Sequence, residues 1–438
     1  MSDGPGSLPT HWETTRVDRV ATVNARIGWK ALTAAEYQSE GYAFLATPNI
    51  KGKEIDFDNV KYISELRYRE SPELQIREGD VLLTKDGFTL GTVNVVRKVP
   101  KPATVNGSIA VLRSQGIDSR FLCYVIASSA TQGYMWAAKN GMDVLHLFQR
   151  DIKKIPIPLP PDDEQHRIAD FLDAETTRID NMVSITHRLR STLYERKEVQ
   201  RSLLLRGAYK IGIRAKHPML GDIPDSWDVL PLKRLVPRIG VGVVVDPSSY
   251  FSEQGLPFLR GSNITEGGID LHDARFISEE DSKKLWRSRL SVGDVVVIRA
   301  GYPGRAAVVP VEFEGSNCAS ILIIKKGNRL IPKYLEAYFN SPLGKAYVDS
   351  VRYGAAQEQI NVSHVVDFMC PAPSLDEQEQ IVTQLESLEA PIAALRQKLS
   401  SQARLLAERR QALITAAVTG QFDVSTASGR NVTEGVSA

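Results

Sequence analysis

The chain has 438 residues, of which 42% are hydrophobic and 24% are charged, and its formal net charge is +2. This length predicts two to four domains, and the near-neutral charge means that any contact with nucleic acid must come from local clusters of basic residues. The three cysteines, Cys123, Cys318 and Cys370, form no CxxC pair, which excludes a disulfide framework and a thiolate zinc site.

The first predicted domain comprises residues 8–158 and mixes short strands with short helices. Apolar, β-rich runs at 81–83 and 92–96 predict strands, and 121–128 predicts a short helix. Polar turns such as Lys85-Asp86-Gly87 separate these elements. We therefore expect a compact α/β domain with a twisted or partly barrel-like sheet.

Residues 159–214 are predicted to form a first long helix. Pro160-Pro161-Asp162 precedes it, and Gly207 is expected to end it. Apolar residues at heptad spacing predict a coiled-coil seam. The apolar seam positions are Ile168, Leu172, Ile179, Met182, Leu189, Leu193 and Leu203; Glu175, Thr186, Arg196 and Gln200 interrupt them.

The second predicted domain comprises residues 221–372 and shows the same alternation. Strand signals lie at 295–298, 307–309 and 321–324, and 334–340 predicts a short helix. A glycine-rich turn, Gly301-Tyr302-Pro303-Gly304, follows the first of these strands. This domain is expected to share the fold of the first.

Residues 373–424 are predicted to form a second long helix, followed by a disordered tail at 425–438. Ser374-x-x-Glu377 is a capping box, and Gly420 is expected to end the helix. Nine of eleven heptad core positions are apolar. Pro391 lies inside the pattern and is expected to kink the helix or to split off a first segment.

The chain repeats itself at a constant shift, which indicates gene duplication. At a shift of 214, residues 44–64 fall on 258–278 with eight of 21 positions identical. At a shift of 213, residues 158–209 fall on 371–422 with twelve of 52 identical. We predict an α+β, pseudo-two-fold molecule in which two long helices form an antiparallel coiled coil and separate two similar mixed α/β domains. The alternative is that each leucine stripe belongs only to the core of one domain. Because the stripe is too long for one small domain, this alternative is less favoured.

Two variable α/β domains that open with P-x-x-W and close through P-x-P-x-x-x-E-Q-x-x-I into a long helix resemble the specificity subunit of type I restriction–modification systems. The closing motifs are Pro158 to Ile168 and Pro371 to Ile381, and the resemblance covers residues 8–424. It implies a DNA-binding subunit without catalysis, in which target recognition domains at 8–158 and 221–372 each read half of a bipartite target. The helices would set the spacer and dock methylation subunits.

The resemblance also implies partners and cofactors. Double-stranded DNA, two methylation subunits and the restriction subunits, which carry translocase and nuclease activity, are the expected partners. This chain is expected to bind no cofactor, with S-adenosylmethionine on the methylation partner and ATP and Mg on the restriction partner. The amino terminus lacks the apolar region of a secretion signal and the apolar runs are too short to span a bilayer, so we expect a cytoplasmic protein without a membrane partner.

Base reading requires hydrogen-bonding side chains on adaptable loops, with Lys and Arg holding phosphates. The DNA-binding candidates are Lys85, Thr89, Lys139 and Asn140 in the first domain, and Arg260, Asn263, Arg299, Tyr302, Arg305, Arg352, Tyr353, Gln357 and Gln359 in the second. The alternative for each is an ordinary solvated surface residue. Asn263 has a counterpart in Asn49, and a residue shared by both domains suits a turn cap better than the reading of two different sequences.

A partner interface is predicted at Glu195-Arg196 and Glu408-Arg409, which both copies retain. Each arginine falls on a core position of the heptad pattern, where a polar residue fixes the register or meets a partner. The basic positions from Arg188 to Lys210 form either a solvated helix face or a contact with a partner subunit or spacer phosphates.

Catalytic motifs are missing from the sequence. Asp246-Pro247-Ser248 lacks the second proline and the aromatic residue of a methylase loop, and Gly240-Val241-Gly242 does not continue into a nucleotide-binding motif. Two alternatives stay open. A nuclease or methylase with a divergent site would act with Mg²⁺ or S-adenosylmethionine alone, and a coiled-coil adaptor would bind protein through its end domains.

Overall fold

The structure is a computed structural model that describes residues 8–25, 33–139, 145–265, 268–354 and 358–424. The chain divides into two compact units. The first takes the residues up to His187 together with those from Ser400 onward, and the second takes Arg188–Leu399. No helix within the described ranges is long and apolar enough to cross a membrane. The tail predicted at 425–438 lies outside these ranges.

The globular part of the first unit alternates short strands with short helices. Its described elements are β1 (Glu13–Arg16), α1 (Val17–Val20), β2 (Ala21–Ala25), β3 (Tyr42–Leu45), β4 (Lys61–Ile63), α2 (Glu65–Arg69), β5 (Asp80–Thr84), β6 (Val93–Val95), β7 (Ala103–Val105), β8 (Ile109–Ser114), α3 (Ser119–Ala127), α4 (Ser129–Ala138), α5 (Gln149–Ile152) and β9 (Pro156–Leu159). The strands and the short helix predicted for this part are confirmed as β5, β6 and α3.

Strand β5 separates two hydrophobic cores of the first unit. The four-stranded antiparallel sheet has the order β2–β8–β5–β6, and a second sheet has the order β4–β3–β7. Val81 and Leu83 enter the core that also contains α3 residues, whereas Leu82 enters the core shared with β3 and β7. Because side chains alternate along a strand, both faces of β5 are buried, and its central run from Val81 to Leu83 is therefore apolar without interruption.

The second unit repeats this arrangement after an added hairpin. Its described elements before the last long helix are β10 (Arg214–His217), β11 (Gly221–Pro224), β12 (Asp228–Pro231), β13 (Ile239–Val241), β14 (Phe251–Ser252), β15 (Leu256–Leu259), β16 (Ile264–Thr265), β17 (Gly268–Ile269), β18 (Arg275–Ile277), α7 (Glu279–Lys284), β19 (Val295–Ile298), β20 (Ala306–Val308), β21 (Asn317–Cys318), β22 (Ile321–Ile324), α8 (Pro332–Asn340), α9 (Pro342–Val351), α10 (Val362–Val366) and β23 (Met369–Ala372). The strands predicted here are confirmed as β19, β20 and β22, and the helix as α8.

Strand β19 takes the place in the second unit that β5 takes in the first. The antiparallel sheet has the order β13–β22–β19–β20, and a second four-stranded sheet has the order β14–β18–β15–β21. Val295 and Val297 enter one core, and Val296 and Ile298 enter the other. The two globular parts therefore share one fold, as the repeat predicts.

The two long helices are α6 (Asp162–Leu205) and α11 (Leu375–Val418). The predicted capping box is present, since the Ser374 amide donates to the Glu377 carboxylate and the Glu377 amide donates to Ser374 Oγ, both at 3.3 Å. Gly207 and Gly420 end the helices with φ of +62° and +70°. In both cases the next residue donates to the carbonyl five positions back at 2.9 Å, which is a Schellman motif.

The helices contact each other in antiparallel order within each unit. In the first unit, Arg410 Nε donates to Asp180 Oδ1 at 3.1 Å, and the rings of Phe171 and Phe422 lie 5.6 Å apart. Phe171 and Asp180 on the first long helix therefore meet Phe422, just beyond the end of the second, and Arg410 on it, so that lower numbers on one helix pair with higher numbers on the other.

The second unit shows the same order. Arg201 Nε donates to Glu389 Oε1 at 2.8 Å, and Lys210 Nζ donates to Glu377 Oε1 at 2.5 Å. The antiparallel pairing predicted from the two leucine stripes is thus found. Since α6 and α11 each run through a unit boundary, both helices belong to both units.

The heptad register predicted for α6 is wrong in its second half. The expected core positions Leu189, Arg196 and Leu203 are exposed, whereas Arg201 is buried. A heptad repeat drifts by about 20° per heptad relative to a straight α-helix. Over the four heptads from Ile168 to Arg196 this drift reaches about 80°, which moves the buried face away from the heptad positions.

Pro391 does not split α11, which is one continuous helix. Pro391 and Ser387, the residue four positions before it, are both exposed. A proline removes one helical hydrogen bond and frees the carbonyl four residues earlier. Because that carbonyl lies on the exposed side, water can satisfy it, and the helix continues.

Candidate nucleic-acid interface

A glycine-led turn follows β5 in the first unit and is held by a second segment. Gly87 has a φ of +76°, and its amide donates to the carbonyl of Leu145 at 2.8 Å. The amide of Leu147 donates to the carbonyl of Lys85, also at 2.8 Å. Between these bonds the Asp86 carboxylate makes a short hydrogen bond with His146 Nδ1. The turn and residues 145–148 therefore form one continuous surface.

The candidates of the first domain lie on this turn and at the end of α4. Lys85 is buried and its Nζ lies 3.0 Å from the Asp86 carboxylate, so it neutralises a charge of the turn itself. Thr89 is half-buried on the turn. Lys139 follows α4, with its Nζ 3.7 Å from the centroid of the Trp136 ring. Asn140 lies outside the described residues.

Exposed aromatic rings near these residues were missed by the sequence analysis. Phe88, at the tip of the turn, is 97% exposed. Trp136 and Phe148 are also exposed, and the Arg150 guanidinium lies 4.7 Å from the Phe148 ring centroid. The repeat carries a signal for Phe88, because a shift of 214 places it on Tyr302, one of the DNA-binding residues predicted from the sequence.

The second unit builds the same turn with different side chains. Gly301 has a φ of +88°, and its amide donates to the carbonyl of Glu358 at 3.3 Å. The amide of Ile360 donates to the carbonyl of Arg299 at 2.9 Å. Gln359 pairs through its backbone with Ala300. At a shift of 214, Gly301 is the counterpart of Gly87.

This arrangement brings most candidates of the second domain together. Arg299, Tyr302 and Arg305 lie on the turn, and Arg352, Tyr353 and Gln359 lie on the segment that faces it. The Arg305 guanidinium lies 5.1 Å from the Tyr302 ring centroid, and Arg352 lies 2.6 Å from the Glu358 carboxylate. Tyr302, Arg305 and Arg352 line a cleft of about 250 Å³. Gln357 falls outside the described ranges.

Asn263 caps its turn, as the alternative for shared residues predicts. It is fully buried; its Oδ1 accepts from the Arg260 amide at 2.8 Å and its Nδ2 donates to the Asp270 carbonyl at 2.9 Å. Its counterpart Asn49 likewise accepts from the Ala46 amide at 2.8 Å. These bonds occupy the amide that base reading would need. Arg260 itself is half-buried beside this turn.

A shared glutamine attaches each globular part to the start of its long helix. Gln165 is buried; its Oε1 accepts from the Asp118 amide at 2.9 Å and its Nε2 donates to the Pro160 carbonyl at 2.9 Å. Gln378 is also buried and accepts from the Ile331 amide at 2.8 Å. Asp118 and Ile331 precede α3 and α8, so the same bond is made in both units.

A charged cluster holds the first globular part on α6. Arg97 donates to the Asp173 carboxylate at 2.6 and 3.1 Å, and the Tyr124 hydroxyl donates to it at 2.7 Å. Burial acts to raise the pKa of Asp173, but the hydrogen bonds from Arg97 and Tyr124 outweigh burial and hold the pKa below its usual 3.8. Asp173 is therefore ionised at neutral pH.

The four predicted partner-interface residues lie on the long helices, and they are not buried together in a shared core. Glu195 and Arg196 are exposed, Glu408 is exposed and accepts from Arg404 at 3.0 Å, and Arg409 is half-buried. The prediction that Arg196 occupies a core position is therefore wrong, because the buried face of α6 drifts away from the heptad positions. Partner contact at all four residues stays a prediction.

Specificity subunits of type I restriction enzymes are among the proteins to which this chain is similar. The family model for the type I restriction modification DNA specificity domain matches residues 9–191. The type I restriction enzyme EcoKI specificity subunit of Escherichia coli (strain K12) is 22% identical over 434 residues, covering 95% of this chain and 90% of that protein. The MjaVIII specificity subunit of Methanocaldococcus jannaschii is 23% identical over 393 residues, covering 87% of each.

Two solved structures share the fold. A chain from a study of complex assembly and conformational transition of the type I R-M system has a TM-score of 0.70 at 19% identity, covering 95% of this chain and 100% of that one. The HsdS subunit from Thermoanaerobacter tengcongensis has a TM-score of 0.50 at 18% identity, covering 96% of this chain and 100% of that one. Two globular parts joined by long helices are therefore an arrangement that this chain shares with solved proteins.

Proposed function

We propose that the chain is a specificity subunit of a type I restriction–modification system and that its two target recognition domains each read one half of a bipartite DNA target, which the family model and the similar specificity subunits support. As a specificity subunit it recognises DNA sequence and leaves catalysis to partner subunits. The proposal adds that α6 and α11 set the spacer between the half-sites and dock two methylation subunits, with restriction subunits completing the complex.

One observation carries the proposal of two separate half-sites. The two domains build the same glycine-led turn but place different side chains beside it, so that the bridged pair Asp86 and His146 in the first corresponds to Ala300 and Gln359 in the second. Residues common to both domains, such as Asn49 and Asn263, are used for the fold. A constant frame with variable side chains suits the reading of two different DNA sequences.

The side chains of the second domain divide by chemistry into three groups. Arg299 and Arg305 form no ion pair within the ranges that the structure describes, so their charges are available to phosphates or to guanine edges. The Arg352 guanidinium lies 2.6 Å from the Glu358 carboxylate, and this ion pair stabilises the shape of the surface. Gln359 and Tyr353 carry hydrogen-bonding groups suited to base edges.

Exposed apolar residues on the long helices support the docking of methylation subunits. Ile185 and Leu405 are exposed in the first unit, and Val199, Leu203 and Leu395 are exposed in the second. A partner protein that covers these side chains removes their apolar area from water, which favours association. The proposal keeps S-adenosylmethionine on the methylation subunit and ATP and Mg on the restriction subunit, with no cofactor on this chain.

A methylation map tests this function directly. The chain is expressed with its methylation subunit in a host that lacks other methylases, and methylated bases are located across the genome. We expect a word of two short blocks separated by a fixed spacer of unspecified sequence. Replacement of residues 8–158 by another recognition domain should change one block only. Methylation within a single uninterrupted word would contradict the two-domain proposal.

A further inference from the structure

We propose that the exposed ring at the tip of each glycine-led turn, Phe88 in the first domain and Tyr302 in the second, inserts between stacked bases of the half-site that its domain reads. The inference rests on the proposed function and adds a role for these two rings that differs from hydrogen bonding to base edges. Phe88 has no hydrogen-bonding group, so it can contribute only through apolar contact or stacking.

The backbone around Phe88 is fixed although its side chain is free. The Leu90 amide donates to the Gly87 carbonyl at 3.1 Å, and the Thr92 amide donates to the Thr89 carbonyl at 3.0 Å. The ring nevertheless is 97% exposed. Because stabilisation by an apolar side chain scales with the area it buries, Phe88 contributes little to the stability of its own domain.

The second domain presents a ring in the same way. Tyr302 is 71% exposed and follows Gly301, the counterpart of Gly87. Its turn is closed by the Gly304 amide, which donates to the carbonyl of Ile298 at 2.9 Å. An exposed aromatic residue thus recurs at one position of a duplicated turn whose other side chains differ, which indicates that both domains use the ring for the same task.

The surroundings of the rings favour DNA over a protein partner. Arg299 and Arg305 flank Tyr302 in the chain, and neither forms an ion pair within the described ranges. In the first domain Lys139 and Arg150 lie against exposed rings, and Arg150 also lies 3.8 Å from the Asp151 carboxylate. Basic side chains interleaved with exposed aromatic rings match a ligand that has stacked bases between phosphates.

The proposal is tested with the full chain in complex with its methylation subunit. A duplex containing the mapped target carries 2-aminopurine at successive positions of each half-site, since its fluorescence rises when the base is unstacked. We expect a rise at one step of each half-site. Phe88→Ala should abolish the rise in one half-site only and weaken binding by about 5- to 150-fold, the range for loss of one base–aromatic stack. Tyr302→Ala should act on the other half-site.

Two matched variants serve as controls. Leu66→Ala removes another exposed apolar side chain of the first domain, 73% exposed on α2, and should leave binding and fluorescence unchanged. Tyr302→Phe keeps the ring and removes the hydroxyl, so the fluorescence signal should remain. The thermal unfolding of all four variants should match that of the parent, because the changed side chains are exposed.

Three results would contradict the insertion of these rings between stacked bases. The first is specific binding without any rise in fluorescence. The second is a loss of affinity in Phe88→Ala that deoxyuridine in place of thymidine reproduces, because the ring would then touch a thymine methyl group in the groove. The third is dissociation of the Phe88→Ala chain from its methylation subunit in the absence of DNA, which would assign the ring to a protein contact. Failure of the parent complex to bind the target specifically would instead remove the proposed function.

Discussion

Gly420, which ends the second long helix, lies so close to Pro9 that a β-carbon built on it would stand 2.3 Å from the proline Cδ. The same relationship occurs in the second unit, where a β-carbon on Gly207 would stand 2.7 Å from Pro224 Cγ and 2.8 Å from the Trp227 ring. The P-x-x-W motif that opens each domain is therefore the surface against which a long helix ends. In the first unit that helix comes from the far end of the chain.

Substitution of either glycine should destabilise the protein more than the cost of placing a side chain on a left-handed backbone alone. We expect Gly420→Ala and Gly207→Ala each to lower the free energy of unfolding by about 2–4 kcal/mol, from a left-handed backbone and a steric clash together. Gly116→Ala is the matched control, because Gly116 has a φ of +73° but open space around its β-carbon position. Calorimetry of the full chain measures the difference, and equal losses at all three positions would rule out the clash.

The two buried glutamines should be needed to hold the recognition domains on the helices. Gln165→Leu and Gln378→Leu leave buried backbone groups without partners, which we expect to cost about 1–3 kcal/mol each. Gln384→Leu, at an exposed position of α11, is the control. Hydrogen exchange read by mass spectrometry should show faster exchange at the start of α3 in the first variant and of α8 in the second. Unchanged exchange there would contradict the role assigned to the glutamines.

The cluster around Asp173 predicts a defined pH dependence of stability. Its pKa is lower in the folded chain than the usual 3.8, so its stabilisation is complete above that value and is lost as the pH falls through the folded pKa. We expect Asp173→Asn to cost about 1–2 kcal/mol at pH 7. The cost should stay constant down to about pH 5 and shrink below about pH 4.

Urea unfolding of the parent and the variant at several pH values measures this difference. Asp58→Asn, which changes an exposed carboxylate of the same unit, should show no comparable loss at neutral pH. A cost of Asp173→Asn that grows as the pH falls from 5 to 3 would have the wrong sign and would exclude the proposed ionised cluster.

Shortening both long helices should change the DNA spacer and nothing else in the target. Deletion of residues 182–188 and of their counterparts 395–401, at a shift of 213, removes seven residues from each helix. This shortens each helix by about 10 Å, which is the length of about three base pairs. A methylation map should then show both half-sites intact with a shorter spacer. A change in the half-site sequence itself would contradict the idea that the helices set the spacing.

Local signals in the sequence located both long helices and several of the short strands and helices. The capping box at Ser374 and Glu377 and the glycines at 207 and 420 act within one or two helical turns, so they are legible without knowledge of the rest of the fold. The apolar runs at 81–83 and 295–298 likewise predicted the strands β5 and β19. The internal repeat, together with the motifs that begin and end each copy, was enough to reach the family and the fold class.

Long-range packing decided what the local signals left open. The register of α6 depends on the drift of a heptad pattern relative to a straight helix, so Arg196, which the pattern placed in the core, is exposed, and Arg201 is buried. The meeting of Gly301 with Glu358 and the presentation of Phe88 depend on contacts between segments far apart in the chain. The sequence by itself therefore determined which elements form and that they occur twice, because those choices are local. Only the tertiary structure decided which side chains share a surface, because bringing distant segments together requires the loops between them to close.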